Sequence, residues 1–593
     1  MFFRRQRSSS SSAATPEITP VVKADPEAYA NGSAPASTVS SAAFISTMMD
    51  YPLTVQYILQ RATRYFPKRE LVTITADGAD RTTYGEMGPR VARLAGALTK
   101  LGVVPGDRVA TLGWNTTRHF ECYFAIPCMG AVLHTLNLRL PSDQLGFIIQ
   151  DAADKIIIAD ADLVPLLEKV PESLGSVKAV VVMNGAPSGW STGQSSLPPL
   201  MDYEALLADQ PGEFAWPELD ERQACAMCYT SGTTGNPKGV VYSHRSTVLH
   251  AICTTQADTI GISGQDTTMP IVPMFHVNAW GLPHAAAMVG AKIVFPNKFM
   301  DPARVAQTMA DEKVTMSGGV PTIWLGLLQV LKARPDLDLS SVTRLVCGGS
   351  AAPKSLIEAL DSYGLKLLHA WGMTEMSPIG TVADIKAGLA DLSPEEKMRY
   401  RIKQGYPVPL VDLRITDLVT GEELPWDGVT FGEIQVRGPW VTSNYYHDAS
   451  PSVDKFVDGW FRTGDVATID PEGYIEIVDR TKDVIKSGGE WISSVQLEGI
   501  IMGHPQVLEA AVIGLPHPKW QERPVAIVMP KPDAEGQLTP EIITEYLQDK
   551  VAKWWLPDQI LIGMPIPKTS VGKFDKKLLR SQLAEQVHLG ADQ

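Results

Sequence analysis

A short segment behind an apolar run carries most of the residue types that bind phosphate. Residues 229–239 read Tyr-Thr-Ser-Gly-Thr-Thr-Gly-Asn-Pro-Lys-Gly. Glycines let backbone N–H groups approach phosphate oxygens, hydroxyls donate further hydrogen bonds, and Lys238 supplies a positive charge. The Walker spacing of a Gly before Gly-Lys-Ser/Thr is missing, which disfavours an ordinary P-loop nucleotidase. The segment therefore predicts a polyphosphate cradle, with a flexible surface loop as the alternative.

The elements that must position this segment alternate along the chain. Thr83-Tyr-Gly-Glu86 is a capping-box pattern and predicts the start of an amphipathic helix. Short apolar runs that predict buried strands lie at 108–112, 155–159, 178–183, 291–295 and 344–347. Helical patterns separate them, so we expect an α/β domain with largely parallel sheets.

The pattern changes towards the C-terminus. From about Gly432, the shorter alternating segments 433–437 and 474–478 predict a β-rich subdomain that closes the large domain. A domain boundary is expected near Lys482. Beyond it, the segments 507–513, 525–529 and 539–550 predict a compact α+β unit.

Composition excludes several classes of protein. Lys and Arg total 52 against 66 Asp and Glu in 593 residues, a net charge of −14 that argues against general affinity for nucleic acids or anionic membranes. No apolar stretch reaches the roughly 20 residues that a membrane span needs. Six cysteines in so long a chain do not form a secreted disulfide framework, which predicts a reducing compartment such as the cytoplasm.

The N-terminal segment differs from the rest of the chain. It begins Met1-Phe-Phe-Arg-Arg-Gln-Arg7, has no acid before Glu17, and is rich in Ala, Ser and Pro. This composition favours a disordered tail. An organellar transit peptide, which would place the protein in an organellar matrix, is the alternative.

Six further motifs follow the phosphate-binding segment in a fixed order. They are Gly348-Gly-Ser-Ala-Ala-Pro353, Trp371-Gly-Met-Thr-Glu375, Trp460-Phe-Arg-Thr-Gly-Asp465, Asp479-Arg-Thr-Lys-Asp483, Lys486-Ser-Gly-Gly-Glu490 and Thr569-Ser-Val-Gly-Lys573. With residues 230–239 they resemble the acyl-adenylate-forming superfamily, which includes acyl-CoA synthetases, firefly luciferases and peptide-synthetase adenylation domains. The resemblance extends over about residues 52–579 and implies ATP, Mg²⁺ and coenzyme A as cofactors.

The resemblance also completes the expected architecture. It implies an α/β protein whose large N-terminal domain contains two α/β sheet subdomains plus a β-rich subdomain, followed by a small mobile α+β C-terminal domain. The expected boundaries are residues 1–48 for the tail or targeting segment, 49–481 for the large AMP-binding domain and 482–593 for the small lid domain.

In this family a carboxylate attacks the α-phosphorus of ATP, and pyrophosphate leaves in line. By resemblance, Lys573 completes adenylation, Thr374 bonds the α-phosphate, and Thr230 and Glu375 hold Mg²⁺ through hard oxygens. Lys568, Lys576 and Lys577 are the alternatives to Lys573. A solvated surface acid is the alternative for Glu375.

The nucleoside is expected to meet a second group of residues. Asp465 can accept both ribose hydroxyls because a carboxylate offers two acceptor oxygens. Arg480 is expected to reach the same ribose, and Trp371 to flank the adenine. The other expected nucleotide-binding residues are Ser231, Gly232, Thr233, Thr234, Gly235, Lys238, Gly349, Ser350, Ala351, Gly372 and Met373.

The second half-reaction transfers the acyl group to a thiol. By resemblance, the small domain rotates about a hinge at Lys482 and brings Gly488, Gly489, Glu490 and Trp491 to the thiol channel. A simple hairpin turn is the alternative for that segment. Since the chain has no carrier-domain segment, free coenzyme A is the expected acceptor.

The acyl pocket carries the narrowest resemblance. Met274-Phe-His-Val-Asn-Ala-Trp-Gly281 is similar to the corresponding segment of bacterial medium- and long-chain fatty acyl-CoA synthetases, in which the residue matching Trp280 gates a hydrocarbon tunnel and that matching His276 lies near the carboxylate. Packed core is the alternative for both residues. The other expected pocket residues are Val277, Val320, Thr322 and Gly348.

The resemblance leaves other activities open. A ligase for a short or sulfur-containing acid, such as 3-methylthiopropionate, has a similar motif set. A luciferase and a catalytically inactive nucleotide-binding protein are more distant alternatives. Closely similar synthetases form homodimers, so a homodimer is expected.

Overall fold

Helices and strands alternate through most of the chain, as predicted. The computed structural model describes residues 46–185, 196–230, 236–448, 454–488, 490–568 and 574–584, apart from the side chain of Glu490. The α-helices are α1 (Val55–Tyr65), α2 (Tyr84–Lys100), α3 (Thr117–Cys128), α4 (Ser142–Ala152), α5 (Tyr203–Ala208), α6 (His244–Thr254), α7 (Val277–Trp280), α8 (Leu282–Val289), α9 (Pro302–Asp311), α10 (Pro321–Ala333), α11 (Lys354–Asp361), α12 (Pro394–Arg401), α13 (Ser494–Met502), α14 (Pro540–Gln548) and α15 (Lys576–Leu583).

The strands follow the same chain order. They are β1 (Glu70–Ile74), β2 (Ala79–Thr83), β3 (Arg108–Leu112), β4 (Val132–Thr135), β5 (Ile156–Asp160), β6 (Ala179–Met183), β7 (Leu200–Asp202), β8 (Ala224–Tyr229), β9 (Gly239–Ser243), β10 (Thr267–Pro270), β11 (Lys292–Phe295), β12 (Met316–Gly319), β13 (Arg344–Cys347), β14 (Leu367–Gly372), β15 (Ile379–Val382), β16 (Tyr406–Pro407), β17 (Asp412–Thr416), β18 (Phe431–Arg437), β19 (Phe456–Val457), β20 (Trp460–Ile469), β21 (Ile475–Arg480), β22 (Ile485–Ser487), β23 (Glu490–Ile492), β24 (Val507–His517), β25 (Gln521–Pro530) and β26 (Gln559–Ile562).

Two large sheets form the body of the N-terminal domain. One has the order β7-β6-β5-β3-β4-β8-β9, and the other β16-β15-β14-β13-β12-β10-β11-β1-β2. Their central strands are parallel, and antiparallel pairs occur only towards the edges of the described sheets. The prediction of an α/β domain with largely parallel sheets is confirmed.

Local sequence explains how the helices begin and what they bury. The predicted capping box is present, because the Thr83 side chain accepts from the Glu86 N–H while the Glu86 carboxylate accepts from the Thr83 N–H. Helix α3 is buried from His119 to Cys128. It contacts β3, β4 and β8 of one sheet and β1 of the other, so it packs between the two sheets.

A third sheet and a small domain complete the chain. Strands β17, β18, β20 and β19 form an antiparallel sheet that β21 joins beside β20. In the small domain the sheet order is β23-β22-β25-β24, with β26 parallel to β25. Helices α13 and α14 cover one face of this sheet through Leu497, Ile501 and Ile543. The β-rich subdomain and the α+β unit are thus both present.

Two further expectations concern cysteines and membranes. All six cysteines are buried and free of disulfides, including Cys225 and Cys228 in β8. Within the described ranges, no helix is long and apolar enough to cross a membrane.

Candidate active site

The expected site segments follow the carboxyl ends of neighbouring strands. The segment that contains Trp280 comes after β10, and Val320 and Thr322 come after β12. Gly348–Ala351 follow β13, and Thr374 and Glu375 follow β14. In the sheet order these four strands are adjacent, so their loops meet at one edge. This edge is where open α/β sheets bind ligands.

Thr230 and Lys238 bracket the predicted phosphate cradle. Strands β8 and β9 pair antiparallel up to Tyr229 and Gly239. The Thr230 N–H donates to the Lys238 carbonyl at 2.9 Å, and the Lys238 N–H donates to Thr230 Oγ1 at 3.2 Å. The cradle is therefore the connection of a β-hairpin. Ser231, Gly232, Thr233, Thr234 and Gly235 lie outside the described residues.

Glu375 lies beside the lysine of this hairpin. Its side chain is 7% exposed, which excludes a solvated surface acid. The Tyr445 hydroxyl donates to Glu375 Oε1 at 2.8 Å, and the Lys238 ammonium lies 4.6 Å from the centre of the Tyr445 ring. Burial raises the pKa of Glu375, and the hydrogen bond from Tyr445 opposes that rise. Tyr445 thus links the expected metal ligand to the expected phosphate-binding lysine.

The backbone beside Glu375 is also held in place. The Tyr242 hydroxyl donates to the Thr374 carbonyl at 2.8 Å, and the Thr442 N–H donates to the Glu375 carbonyl at 2.8 Å. The orientation of the Thr374–Glu375 turn therefore depends on residues from β9 and from the segment after β18.

A second polar group joins the expected nucleoside residues. The Trp371 indole N–H donates to Asp465 Oδ2 at 2.8 Å, and Arg480 Nε lies 3.1 Å from Asp465 Oδ1. Asp465 and Arg480 are opposite each other on β20 and β21, and the charge of Asp465 raises the pKa of Arg480. Trp371 is 7% exposed, so its N–H chiefly orients the carboxylate.

The Trp280 ring lies against two glycines at the strand ends. An added Cβ at Gly348 would be 3.0 Å from Trp280 Cη2, and one at Gly318 would be 3.7 Å from Trp280 Cε3. A side chain at Gly348 would press on the ring, whereas a Cβ at Gly318 would make only an ordinary contact, so Gly348 in particular allows the indole to lie close to the sheet edge. Trp280 and Gly348, two expected pocket residues, are therefore brought together.

The segment that carries Trp280 has an unusual backbone. Residues 277–281 all have positive φ, from 37° at Val277 to 70° at Gly281, and α7 is one left-handed turn. Such a conformation is disfavoured for a β-branched residue like valine. The sequence pattern does not predict this turn. His276, half-buried, directly precedes it, and its N–H donates to the Pro273 carbonyl at 3.0 Å.

The loop after β13 places further expected residues at the edge. Gly349, Ser350 and Ala351 are exposed. Behind them the buried His369 contacts the Ser350 backbone and the Ile402 carbonyl, and burial lowers the pKa of His369 to about 4. This neutral histidine supports the loop from within.

The surroundings of the C-terminal lysines differ. Lys568 lies 2.6 Å from Glu509, and Lys576 lies 2.7 Å from Glu498. Burial lowers the pKa of Lys576, but the carboxylates of Glu498 and Asp479 outweigh this effect and hold that pKa above its usual value. Lys577 is exposed, and Lys573 lies outside the described residues.

The expected thiol-channel segment is a hairpin of the small domain. Strands β22 and β23 pair through Lys486 and Trp491, and the Gly488 N–H donates to the Trp520 carbonyl at 2.8 Å. Trp491 packs on Val466 and Val478 of the large domain. The hairpin alternative is therefore present, whereas the coenzyme A role stays a prediction. Gly489 and the Glu490 side chain lie outside the described residues.

Sequence reasoning missed the residues that orient the site. Tyr445 and Tyr242 contact the Thr374–Glu375 turn, yet neither belongs to a motif with a recognisable spacing. Across the described part of the chain, no cluster of three or more His, Cys, Asp or Glu could hold a metal by itself. A Mg²⁺ ion here would need ligands from a bound phosphate as well, which is usual for that ion.

Comparisons with known proteins agree with this geometry. Residues 59–446 match the family described as AMP-binding enzyme, and residues 496–573 match the AMP-binding enzyme C-terminal domain. A long-chain-fatty-acid–CoA ligase of Thermus thermophilus is 47% identical over 91% of this chain and 97% of its own length. A 3-methylmercaptopropionyl-CoA ligase of Ruegeria lacuscaerulensis is 44% identical over 92% of this chain and 99% of its own length.

Solved structures give the same result. The anthranilate CoA ligase AuaEII in complex with anthranoyl-AMP has a TM-score of 0.79 and 26% identity, over 91% of this chain and 99% of that one. ATP-bound MatB from Rhodopseudomonas palustris has a TM-score of 0.76 and 25% identity, over 90% of this chain and 99% of that one. With its motifs, its two domains and these relatives, the chain belongs to the AMP-binding enzyme family.

Proposed function

We propose that this protein is an ATP-dependent acyl-CoA ligase whose preferred acid is a medium- or long-chain fatty acid. The observation that carries the proposal is the meeting of a buried carboxylate, a hairpin lysine and an Asp–Arg pair around the carboxyl end of β14. This arrangement provides separate places for metal, phosphates and ribose. Relatives 44–47% identical to this chain are named long- and medium-chain-fatty-acid–CoA ligases.

In the first half-reaction, a carboxylate oxygen of the acid bonds to the α-phosphorus, and the bond from that phosphorus to the bridging oxygen of pyrophosphate breaks. Asp465 and Arg480 hold the ribose, and Lys238 balances phosphate charge. Each Asp465 oxygen already accepts one protein hydrogen bond and has a second lone pair, so both can still accept a ribose hydroxyl.

Thr230 and Glu375 would hold Mg²⁺, which supplies charge neutralisation as pyrophosphate departs. Their chemistry fits this ion because both offer hard oxygens and the phosphates supply the remaining ligands. The hydrogen bond from Tyr445 keeps Glu375 oriented, and the Lys238 ammonium lies over the same tyrosine ring.

The second half-reaction needs a rearranged site. The thiol sulfur of coenzyme A bonds to the acyl carbon, the bond from that carbon to AMP breaks, and the thiol proton is released. Lys573 serves only adenylation, so the small domain turns about Lys482, the boundary between residues 49–481 and 482–593. Gly488–Trp491 then approaches the thiol channel.

The acyl chain is proposed to lie beside Trp280, with Gly348, Val320 and Thr322 around it and His276 near the carboxylate. An apolar wall is suitable because each buried methylene contributes about 0.8 kcal/mol. A 3-methylthiopropionate ligase is the second candidate, since relatives at 43–44% identity are named 3-methylmercaptopropionyl-CoA ligases. A homodimer is proposed by analogy with the closely similar fatty acyl-CoA synthetases.

ATP–pyrophosphate exchange across acids from acetate to palmitate, followed by detection of the coenzyme A thioester, tests the proposal. Exchange and thioester formation should be fastest with a medium- or long-chain acid. A preference for 3-methylthiopropionate would replace the proposed acid, and a failure to exchange with every acid would remove the ligase activity altogether. Thioester formation without added coenzyme A is the background control.

A further inference from the structure

A small, partly open cavity lies behind the turn that carries Trp280. Its volume is about 20 Å³, and its wall includes Tyr242, Thr247, His250, Asn278, His284 and Ser377. A cavity of roughly 10–15 Å³ on this measure holds one water molecule, so the space accepts one oxygen atom. Its wall carries polar groups as well as apolar ones, whereas cavities that stay empty are lined by apolar groups.

One wall of the cavity offers a hydrogen-bond donor. Asn278 is 6% exposed, and its Oδ1 accepts from the Cys228 thiol at 2.5 Å. Its Nδ2, although buried, has no hydrogen-bond partner among the described residues. Because buried amide groups are nearly always hydrogen-bonded, this N–H₂ points to an occupant of the cavity.

Another residue of the cavity wall offers an acceptor. His284 is 4% exposed and hydrogen-bonds to the Tyr123 backbone, while its Nε2 has no partner among the described groups. Burial lowers the pKa of His284 to about 4, so the ring is neutral at pH 7. A neutral imidazole that donates through one nitrogen to a carbonyl has a bare lone pair on the other.

His250 adds a third polar group to the wall. Burial lowers its pKa to about 3, and its Nε2 accepts from the Ile379 N–H at 3.3 Å. The hydrogen of this neutral ring is therefore on Nδ1. Among the described residues, the wall therefore combines an unpaired donor on Asn278 with an unpaired acceptor on His284 and carries no formal charge, which disfavours an ion as its occupant.

We propose that this cavity is a binding site for a single hydroxyl group, which donates to His284 Nε2 and accepts from Asn278 Nδ2. A hydroxyl is the one-oxygen group that offers both functions. Its source is either a water molecule or the hydroxyl of a hydroxylated acid substrate.

Position favours a link with the substrate. Asn278 is two residues before Trp280 in the expected acyl pocket, and Ser377 is two residues after Glu375. The hydroxy-acid source rests on the proposed ligase function, whereas the water source does not.

A crystal structure of the full chain at high resolution tests the site directly. One oxygen peak should lie about 3 Å from both Asn278 Nδ2 and His284 Nε2. The peak should vanish in Asn278→Leu, whose side chain has no donor. A wild-type cavity without density, or a peak that persists in the variant at the same place, would overturn the proposal.

An acid panel separates the two sources. If the acid supplies the hydroxyl, a hydroxy acid should exceed its unsubstituted parent of equal length in kcat/KM by about tenfold, and Asn278→Leu should abolish that advantage. If water supplies it, the peak should remain with an unsubstituted acid bound and no hydroxy acid should be favoured. Unsubstituted acids still react in both cases, so a failed ligase proposal would be recognised separately.

The two orphan groups also predict non-additive stability. Asn278→Leu leaves His284 without a partner, and His284→Phe does the reverse, whereas the double variant leaves neither group unpaired. The double variant should therefore melt no lower than the less stable single variant. A Tm loss equal to the sum of the two single losses would contradict a shared hydroxyl.

Discussion

Lysines near the C-terminus compete for one chemical role, and their surroundings distinguish them. Lys568 and Lys576 each contact a carboxylate at 2.6–2.7 Å, and the side chain of Lys576 is 11% exposed. An ammonium paired with a carboxylate binds an incoming phosphate less readily than an unpaired one. Lys573 lies outside the described residues, and the Gly-Lys motif favours it.

Lys573→Ala should reduce adenylation by about 10²-fold or more, because a positive charge that stabilises the developing transition state is removed. The same variant should still convert preformed acyl adenylate and coenzyme A to the thioester at close to the wild-type rate. Pyrophosphate exchange and single-turnover thioester formation measure the two steps. Lys577→Ala, at an exposed neighbour, is the matched control. Equal loss in both half-reactions would contradict the separate roles.

Glu375 is the residue whose environment most clearly indicates function. Glu375→Gln should lower exchange by about 10²-fold and raise the Mg²⁺ concentration needed for half-maximal rate, because a neutral amide is a weaker ligand for a hard cation. Tyr445→Phe should give a smaller loss of about tenfold, since it removes only the orienting hydrogen bond. Magnesium titrations of both variants check this, and an unchanged magnesium requirement in Glu375→Gln would count against metal binding there.

At the scale of elements, hydrophobic pattern predicted where most strands lie. The predicted strand 344–347 has the same bounds as β13. The predicted strand 507–513 is shorter than β24, which continues to His517. That extension is caused by pairing, since Pro516 and His517 lie opposite Glu522 and Gln521 of β25. Local propensity does not show how far a strand extends when pairing across a hairpin sets its end.

The candidate site was predictable to the extent that it consists of motifs. Motif residues such as Asp465 and Arg480 are brought together because strands β20 and β21 pair. The left-handed turn at 277–281 and the contact of Tyr445 with Glu375 were not predictable. Both depend on tertiary packing, which holds a strained backbone or a distant side chain in place.

Gly348 tests how closely an element must approach the pocket. Gly348→Ala should displace the Trp280 ring, because the new Cβ would lie 3.0 Å from Cη2 and 3.2 Å from the Ala370 carbonyl. We expect KM for a long-chain acid to rise about tenfold while KM for ATP stays near the wild-type value. Gly388→Ala, where a Cβ meets nothing within 4 Å, is the matched control. An equal rise in the KM values for the acid and for ATP would contradict a specific effect on the acyl pocket.

At the scale of the whole molecule, the two domains meet through polar contacts next to the expected hinge. The Ser494 N–H and hydroxyl both donate to Asp479 Oδ2 at 2.6 Å, and Lys576 bonds the same hydroxyl. Trp491 adds an apolar contact with β20 and β21. Polar contacts of this kind suit the proposed reorientation of the small domain.

Stability of the molecule should fall in mild acid because neutral histidines are buried between its sheets. His119 hydrogen-bonds to the Trp114 carbonyl and to Thr111 Oγ1, each at 2.9 Å, and burial lowers its pKa from 6.5 to about 4. As pH falls below 6.5 the unfolded chain takes up this proton first. The stability that neutral His119 preserves is therefore complete above pH 6.5 and is lost progressively towards pH 4.

His119→Gln should remove this dependence, since an amide can donate to one partner and accept from the other without titrating. Between pH 7 and pH 4, wild type should lose about 3 kcal/mol of unfolding free energy relative to the variant, from the pKa change of His119. Urea unfolding at several pH values measures the difference. Thr111→Val keeps the titrating ring and is the control. Its unfolding free energy should lie below that of wild type by an amount that stays nearly constant with pH. If His119→Gln lost stability in parallel with wild type, the acid sensitivity would arise from other groups.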